Sequence, residues 1–117
     1  MTSNQCDLTS KRCTACHVGA PKATQSQISD WLPEISNWSL VTEGEISRLS
    51  RGYAFANFVE AMKFANLVAD LAESEGHHPL ITVEWGSTLV QWWTHAIGGL
   101  HENDFIMAAK TDALLAE

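Results

Sequence analysis

The stretch from Glu73 to Asp104 reads ESEGHHPLITVEWGSTLVQWWTHAIGGLHEND and decides how the rest of the chain must be arranged. It holds four of the five histidines in the sequence, His77, His78, His95 and His101, within about thirty residues. Leu80 to Trp85 and Leu89 to Trp93 are rich in apolar and β-branched residues, and Gly86-Ser87 between them has turn chemistry. A tight hairpin with Gly86-Ser87 as its loop puts Trp85 opposite Thr88, Val83 opposite Val90 and Ile81 opposite Trp92 on one largely apolar face. The other face pairs Glu84 with Leu89, Thr82 with Gln91 and Leu80 with Trp93. Two residues further on, that register sets His78 across from His95, and directly opposed Cβ atoms sit roughly 5 Å apart. Spacing alone therefore predicts two imidazoles together, with His77 beside them.

Imidazole can give or take a proton near neutrality. Glu73, one helical turn before His77, is placed to fix the tautomer of that ring. Aromatic side chains nearby supply a flat apolar wall for a ring-shaped ligand. The pattern points to acid–base chemistry on a small planar molecule. Taken singly, each histidine also reads as a helix-end or strand-end residue filling a polar corner. The same Glu73, His77, His78 and His95 could instead ligate a metal, although adjacent histidines diverge where a strand begins and so rarely serve one ion.

These residues resemble a known family. Glu73, three residues, His77-His78-Pro79, five residues, Trp85, nine residues, His95, eight residues and Asp104 match the signature of the pterin-4a-carbinolamine dehydratases at every fixed position. The likeness continues through THAIGGLHENDFIMAAKTD and more loosely towards the amino terminus. It implies removal of water from the 4a-hydroxytetrahydropterin left by an aromatic amino acid hydroxylase such as phenylalanine hydroxylase, with quinonoid dihydropterin as product. It implies His77, His78 and His95 as active-site histidines, supported by Glu73 and Asp104, with pterin as substrate, no cofactor and no metal. The expected acid–base pair is His77, backed by Glu73, with His95; His78 orients substrate, and the ring stacks near Pro79 and Trp93. The resemblance also implies a homodimer or a dimer of dimers. Some relatives act as dimerisation partners of homeodomain transcription factors, which leaves a purely binding role as an alternative, and a place in molybdenum-cofactor metabolism is another.

Composition bounds these readings. The 117 residues, 45% of them hydrophobic, suit one globular domain. A formal charge of −7 with only seven lysines and arginines argues against a nucleic-acid surface. No apolar run approaches membrane-spanning length and the start has no apolar signal core, so a cytoplasmic protein is expected. Residues 1–23 lack periodicity and read as an extended arm ahead of a single domain over 24–117. Cys13-Thr14-Ala15-Cys16-His17 spells a haem-attachment pattern, but such attachment happens outside the cytoplasm. No second ligand pair follows to make a zinc knuckle; the Cys13/Cys16 pair could bind adventitious metal or form a disulfide, but in a reducing cytosol two free thiols are expected.

Three helices and two hairpins follow in order. Thr24 to Gln27 forms a capping box ahead of Ile28, Trp31 and Leu32, and Pro33 ends that helix. Trp38 to Val41, a turn at Glu43-Gly44, and Glu45 to Ala54 make a first hairpin, in which Ile46 and Leu49 face opposite ways and suggest a bulge or a strand covered on both faces. Asn57 starts a long helix that Gly76 ends, with Phe58, Met62, Ala65, Ala69 and Ala72 as the expected core stripe. Phe64, Leu67 and Leu71 form a second strip, for a neighbouring element or a subunit interface. After Gly98-Gly99, His101 or Asn103 caps a third helix with Phe105, Ile106, Ala109 and Ala113 buried; Asp104 suits its first turn and could position His95 or the pterin. The order α-β-β-α-β-β-α predicts an α+β two-layer sandwich, a four-stranded antiparallel sheet with three helices on one face.

Overall fold

The computed structural model describes residues 21–115. The expected arm over residues 1–23, with Cys6, Cys13 and Cys16, falls almost wholly outside them. Elements run in the expected order: α1 (Gln25–Trp31), a 3-10 turn (Leu32–Ile35), β1 (Ser39–Glu43), β2 (Ile46–Ala54), α2 (Phe58–Glu75), β3 (Leu80–Glu84), β4 (Ser87–Trp92), a 3-10 turn (His95–Ile97) and α3 (Glu102–Leu115). The fold is α+β, with one antiparallel sheet of order β1-β2-β4-β3. The two hairpins thus join through their second strands, which puts β2 and β4 at the centre.

Local chemistry sets the helix ends. The Thr24 hydroxyl accepts from the Gln27 N–H at 3.1 Å while the Gln27 side chain accepts from the Thr24 N–H at 2.9 Å, a complete capping box. Asn57 accepts from the Glu60 N–H at 2.9 Å to start α2. Gly76, at φ 69°, ends it in the left-handed conformation that glycine adopts without a Cβ penalty. At α3, the His101 ring accepts from the Asn103 N–H at 3.1 Å and the Asp104 carboxylate accepts from the His101 N–H at 2.9 Å. His101 is therefore the cap and Asp104 its reciprocal partner.

The β3–β4 hairpin keeps the expected faces but not the expected register. Leu80 pairs with Gln91, Ile81 with Val90, Thr82 with Leu89, Val83 with Thr88 and Glu84 with Ser87. The loop is Trp85-Gly86 rather than Gly86-Ser87, because Gly86 carries the positive φ of 78° at the second loop position. Each pair shifts by two residues, an even slip, so Thr88, Val90 and Trp92 still point inward and are fully buried. The extended register no longer sets His78 opposite His95; it would bring Trp93 there. In β1–β2 the turn is Gly44-Glu45, Glu43 pairs with Ile46, and Leu40 pairs with Leu49 in an unbroken ladder. Ile46 and Leu49 do face opposite ways, without a bulge: Leu49 enters the core and Ile46 lies on the face without helices.

The core fills the space between helices and the inner sheet face, where Leu49, Tyr53, Val90 and Trp92 meet Phe64, Val68, Ala72, Phe105 and Met107. The inward stripe of α2 is Ala61, Phe64, Ala65, Val68 and Ala72. The stripe expected from sequence was rotated: Ala65 and Ala72 belong, but Ala69 is exposed and Phe58 and Met62 are 47% and 37% exposed. An aromatic cluster decides the rotation, since Phe64 packs on Tyr53 at 4.5 Å and on Phe55 at 5.3 Å. Along α3, Asn103 through Ala108 and Thr111 are buried; Phe105 and Ile106 are as expected, whereas Ala113 is exposed and Ala109 only half-buried. A helix enclosed by α2, the sheet and the first 3-10 turn has no simple stripe. Polar ties fix the layers: Thr88 donates to the Ala61 carbonyl at 2.7 Å and Trp92 Nε1 donates to Thr111 at 3.1 Å.

Candidate active site

The end of α2 sends two neighbouring histidines in different directions. Gly76 turns the chain out of the helix, and His77 N–H still reaches back to the Ala72 carbonyl at 3.2 Å. His77 then turns inward, 6% exposed, and its ring lies parallel to Trp92 at 5.6 Å. Its Nε2 sits 2.7 Å from Oδ1 of Asp104, which is fully buried. Asp104 Oδ2 accepts from the Thr94 hydroxyl at 2.8 Å and from the His101 N–H at 2.9 Å. A single carboxylate thus caps α3, holds the exit of β4 and fixes His77. With Asp104 ionised, Nε2 of His77 carries hydrogen and donates.

His78 turns outward. Its Nε2 lies 2.6 Å from Glu73 Oε2, and the two side chains are 60% and 77% exposed. This corrects two expectations: Glu73 serves His78 rather than His77, and Asp104 serves His77 rather than His95. Residues 73 and 78 meet because the helix ends between them and the chain folds back over its last turn.

His95 begins the 3-10 turn after β4. Thr94 and Gly99 close that turn with paired backbone hydrogen bonds of 2.8 and 3.4 Å, and Gly98 at φ 61° reverses the chain. The His95 ring is exposed and stacks on Trp93 at 4.5 Å with 7° between planes. His77, His78 and His95 come together after all, through the third dimension instead of a cross-strand pair: with Gly76, Thr94 and Ala96 they line one open cavity of about 300 Å³. That volume lies at the lower end of small-molecule sites and suits a flat bicyclic ring. Pro79 and Trp93, expected beside the ligand, do not line it; Trp93 lies behind His95. Sequence reading missed Thr94, Gly76 and Ala96, although Thr94 adjoins His95 and Gly76 had already been read as a helix end. Among the described residues, no group of three or more His, Cys, Asp or Glu side chains is arranged to hold a metal ion.

The profile of the family described as Pterin 4 alpha carbinolamine dehydratase matches residues 21–114. The chain belongs to that family. A pterin-4-alpha-carbinolamine dehydratase homologue from Syntrophotalea carbinolica is 55% identical over 108 residues, which cover 92% of this chain and 96% of that one. A second, from Marinobacter nauticus, is 50% identical over 92% of this chain and 97% of its own length. Among solved structures, a transcriptional coactivator/pterin dehydratase from Brucella melitensis superposes with TM-score 0.71 at 26% identity, over 80% of this chain and 98% of that one. A pterin dehydratase-like RuBisCO assembly factor of the alpha-carboxysome shares the fold at TM-score 0.56 and 24% identity, over 67% and 88% of the two chains. The activity is that of the pterin-4a-carbinolamine dehydratase family, a hydro-lyase step.

Proposed function

We propose that the cavity between His78 and His95 binds the 4a-hydroxytetrahydropterin, and that these two imidazoles move the protons. The C4a–O bond breaks and the hydroxyl leaves as water with a proton from one histidine; the other accepts the proton lost from the ring nitrogen, giving quinonoid dihydropterin. The supporting observation is the division among the three rings at one cavity. His77 is buried with Nε2 committed to Asp104, whereas His78, oriented by Glu73, and His95 are open to a ligand. On this reading His77 is a fixed wall and hydrogen-bonding group of the site, and the Glu73-backed proton carrier is His78. Positioning plus proton transfer accounts for the step. Generating the 4a-hydroxytetrahydropterin with a hydroxylase, and following its decay with and without this protein, tests the reading; an unchanged decay rate refutes it.

The finer expectations join the same proposal. The product is recycled to the tetrahydropterin cofactor of an aromatic amino acid hydroxylase such as phenylalanine hydroxylase, so the two enzymes share the cytoplasm. Self-association uses the apolar surface that α2 leaves outside the core, where Phe58 is 47%, Val59 61% and Met62 37% exposed. Sedimentation of the purified protein tests that part.

A further inference from the structure

Two of the three cavity imidazoles are held by carboxylates, and the third is not. Among the described residues, the His95 ring makes no side-chain hydrogen bond; its orientation comes from stacking on Trp93 at 4.5 Å. Trp93 is in turn covered by a cation, with Arg48 Cζ 4.0 Å from the ring centroid. Arg48 stands on β2 one residue before Leu49, which pairs with Trp92, so Arg48 lies beside Trp93, the residue just after β4, on the face away from the helices. Its NH1 donates to Gln91 Oε1 at 3.1 Å, and Gln91 Nε2 donates to Ser50 at 3.2 Å, which pins the guanidinium from behind.

The rest of the Arg48 environment is unusual for a cation. Its Nε is buried without a hydrogen-bond partner, and among the described residues no carboxylate pairs with it, although the chain has fourteen acidic residues. A buried N–H left without a partner carries a cost, and sites that break such local rules without evident structural gain are often functional. What the placement provides is a cation over an indole, held in place by its bond to the Gln91 side-chain carbonyl, with a planar fork that a lysine ammonium lacks.

We propose that Arg48 is a positioning residue for the dehydration: it fixes the Trp93 indole, and through it the plane of the His95 ring at the cavity. Because stacking rather than hydrogen bonding holds His95, both its ring nitrogens stay available to the substrate. The proposal rests on the dehydratase reading for its kinetic consequence, but the stacking itself has a signature independent of activity. Ring protons of an imidazole lying over an indole face resonate upfield, so the His95 signals report directly on the stack.

The experiment compares wild-type protein with Arg48→Met and Arg48→Lys, measuring kcat and KM on hydroxylase-generated 4a-hydroxytetrahydropterin and recording the histidine ring-proton NMR signals. In Arg48→Met, kcat falls about fivefold or more with KM within about twofold. The His95 signals move downfield while those of His77 and His78 stay in place. Arg48→Lys lies between. In a Trp93→Ala background, Arg48→Met has no further effect on kcat. Unmoved His95 signals in Arg48→Met overturn the proposal, and so does displacement of all three histidines together, which marks a general structural role. Should Arg48→Met fail to fold, Arg48→Lys decides: wild-type kcat and His95 signals overturn the proposal, and a displaced His95 with lowered kcat supports it. If wild-type protein does not accelerate the dehydration, the functional reading falls, and the His95 signals still judge the stack.

Discussion

Asp104 and His77, 27 residues apart in sequence, meet at 2.7 Å in the interior, while five residues separate the exposed partners Glu73 and His78. The two histidines line one cavity, but the two carboxylate–imidazole pairs have opposite surroundings. Burial makes the first a part of the fold; exposure leaves the second open to solvent and to a ligand.

Asp104→Asn removes the charge and replaces an acceptor oxygen by a donor among three groups that all point hydrogen at the carboxylate. We expect a loss of about 2–3 kcal/mol of stability, from a buried donor left unpaired. Urea denaturation measures it, and a midpoint equal to wild type would contradict the assigned bonding.

Glu73→Gln and His78→Gln act on a pair that is 77% and 60% exposed. Their stability should stay within about 0.5 kcal/mol of wild type, because exposed ion pairs contribute little. Turnover should fall by at least about tenfold for His78→Gln and less for Glu73→Gln. Full turnover by His78→Gln would remove it from the proton path.

Gly76 separates α2 from the histidine pair. A Cβ there would meet no atom within 4 Å, yet φ is 69°, so Gly76→Ala is penalised by the backbone alone. The expected cost is about 1–2 kcal/mol, with a lowered kcat because His77 and His78 follow directly. Thermal unfolding together with turnover checks both.

Tyr53 donates to Asp112 at 2.6 Å, and Asp112 also accepts from Arg51 at 2.6 Å and from Trp38 Nε1 at 3.0 Å. Burial, then Asp112, pushes the phenol above its ordinary value of 10.0, and Arg51 only partly opposes this. The folded protein therefore holds the Tyr53 proton more tightly than the unfolded chain does. That contribution is complete below pH 10 and is lost as pH rises beyond it, by up to about 1.4 kcal/mol per pH unit. Tyr53→Phe should show a shallower alkaline decline than wild type in denaturation at pH 9 to 11; parallel curves would refute the coupling.

Phe64→Ala and Phe58→Ala separate the two sides of α2. Phe64 is 3% exposed within the aromatic cluster, and its truncation should cost about 3–5 kcal/mol. Phe58 is 47% exposed, so its truncation should leave the monomer fold nearly unchanged and weaken self-association. Denaturation and sedimentation of the two variants distinguish the faces.

The sequence by itself determined whatever depends on neighbours a few positions apart. Thr24, Asn57 and Gly76 mark helix ends because their capping bonds reach only three or four residues. The alternation in β3 and β4 set which side chains face inward, and an even slip in register left that intact. The gathering of His77, His78 and His95 was legible too, though for a different geometric reason from the one the spacing suggested. Only the tertiary structure decided which carboxylate meets which imidazole, which side of α2 faces the sheet, and that Arg48 stands behind Trp93 and His95. Those relationships join residues on separate elements. They depend on how the helices dock and how β2 aligns with β4, and packing of aromatic rings in a shared core settles both.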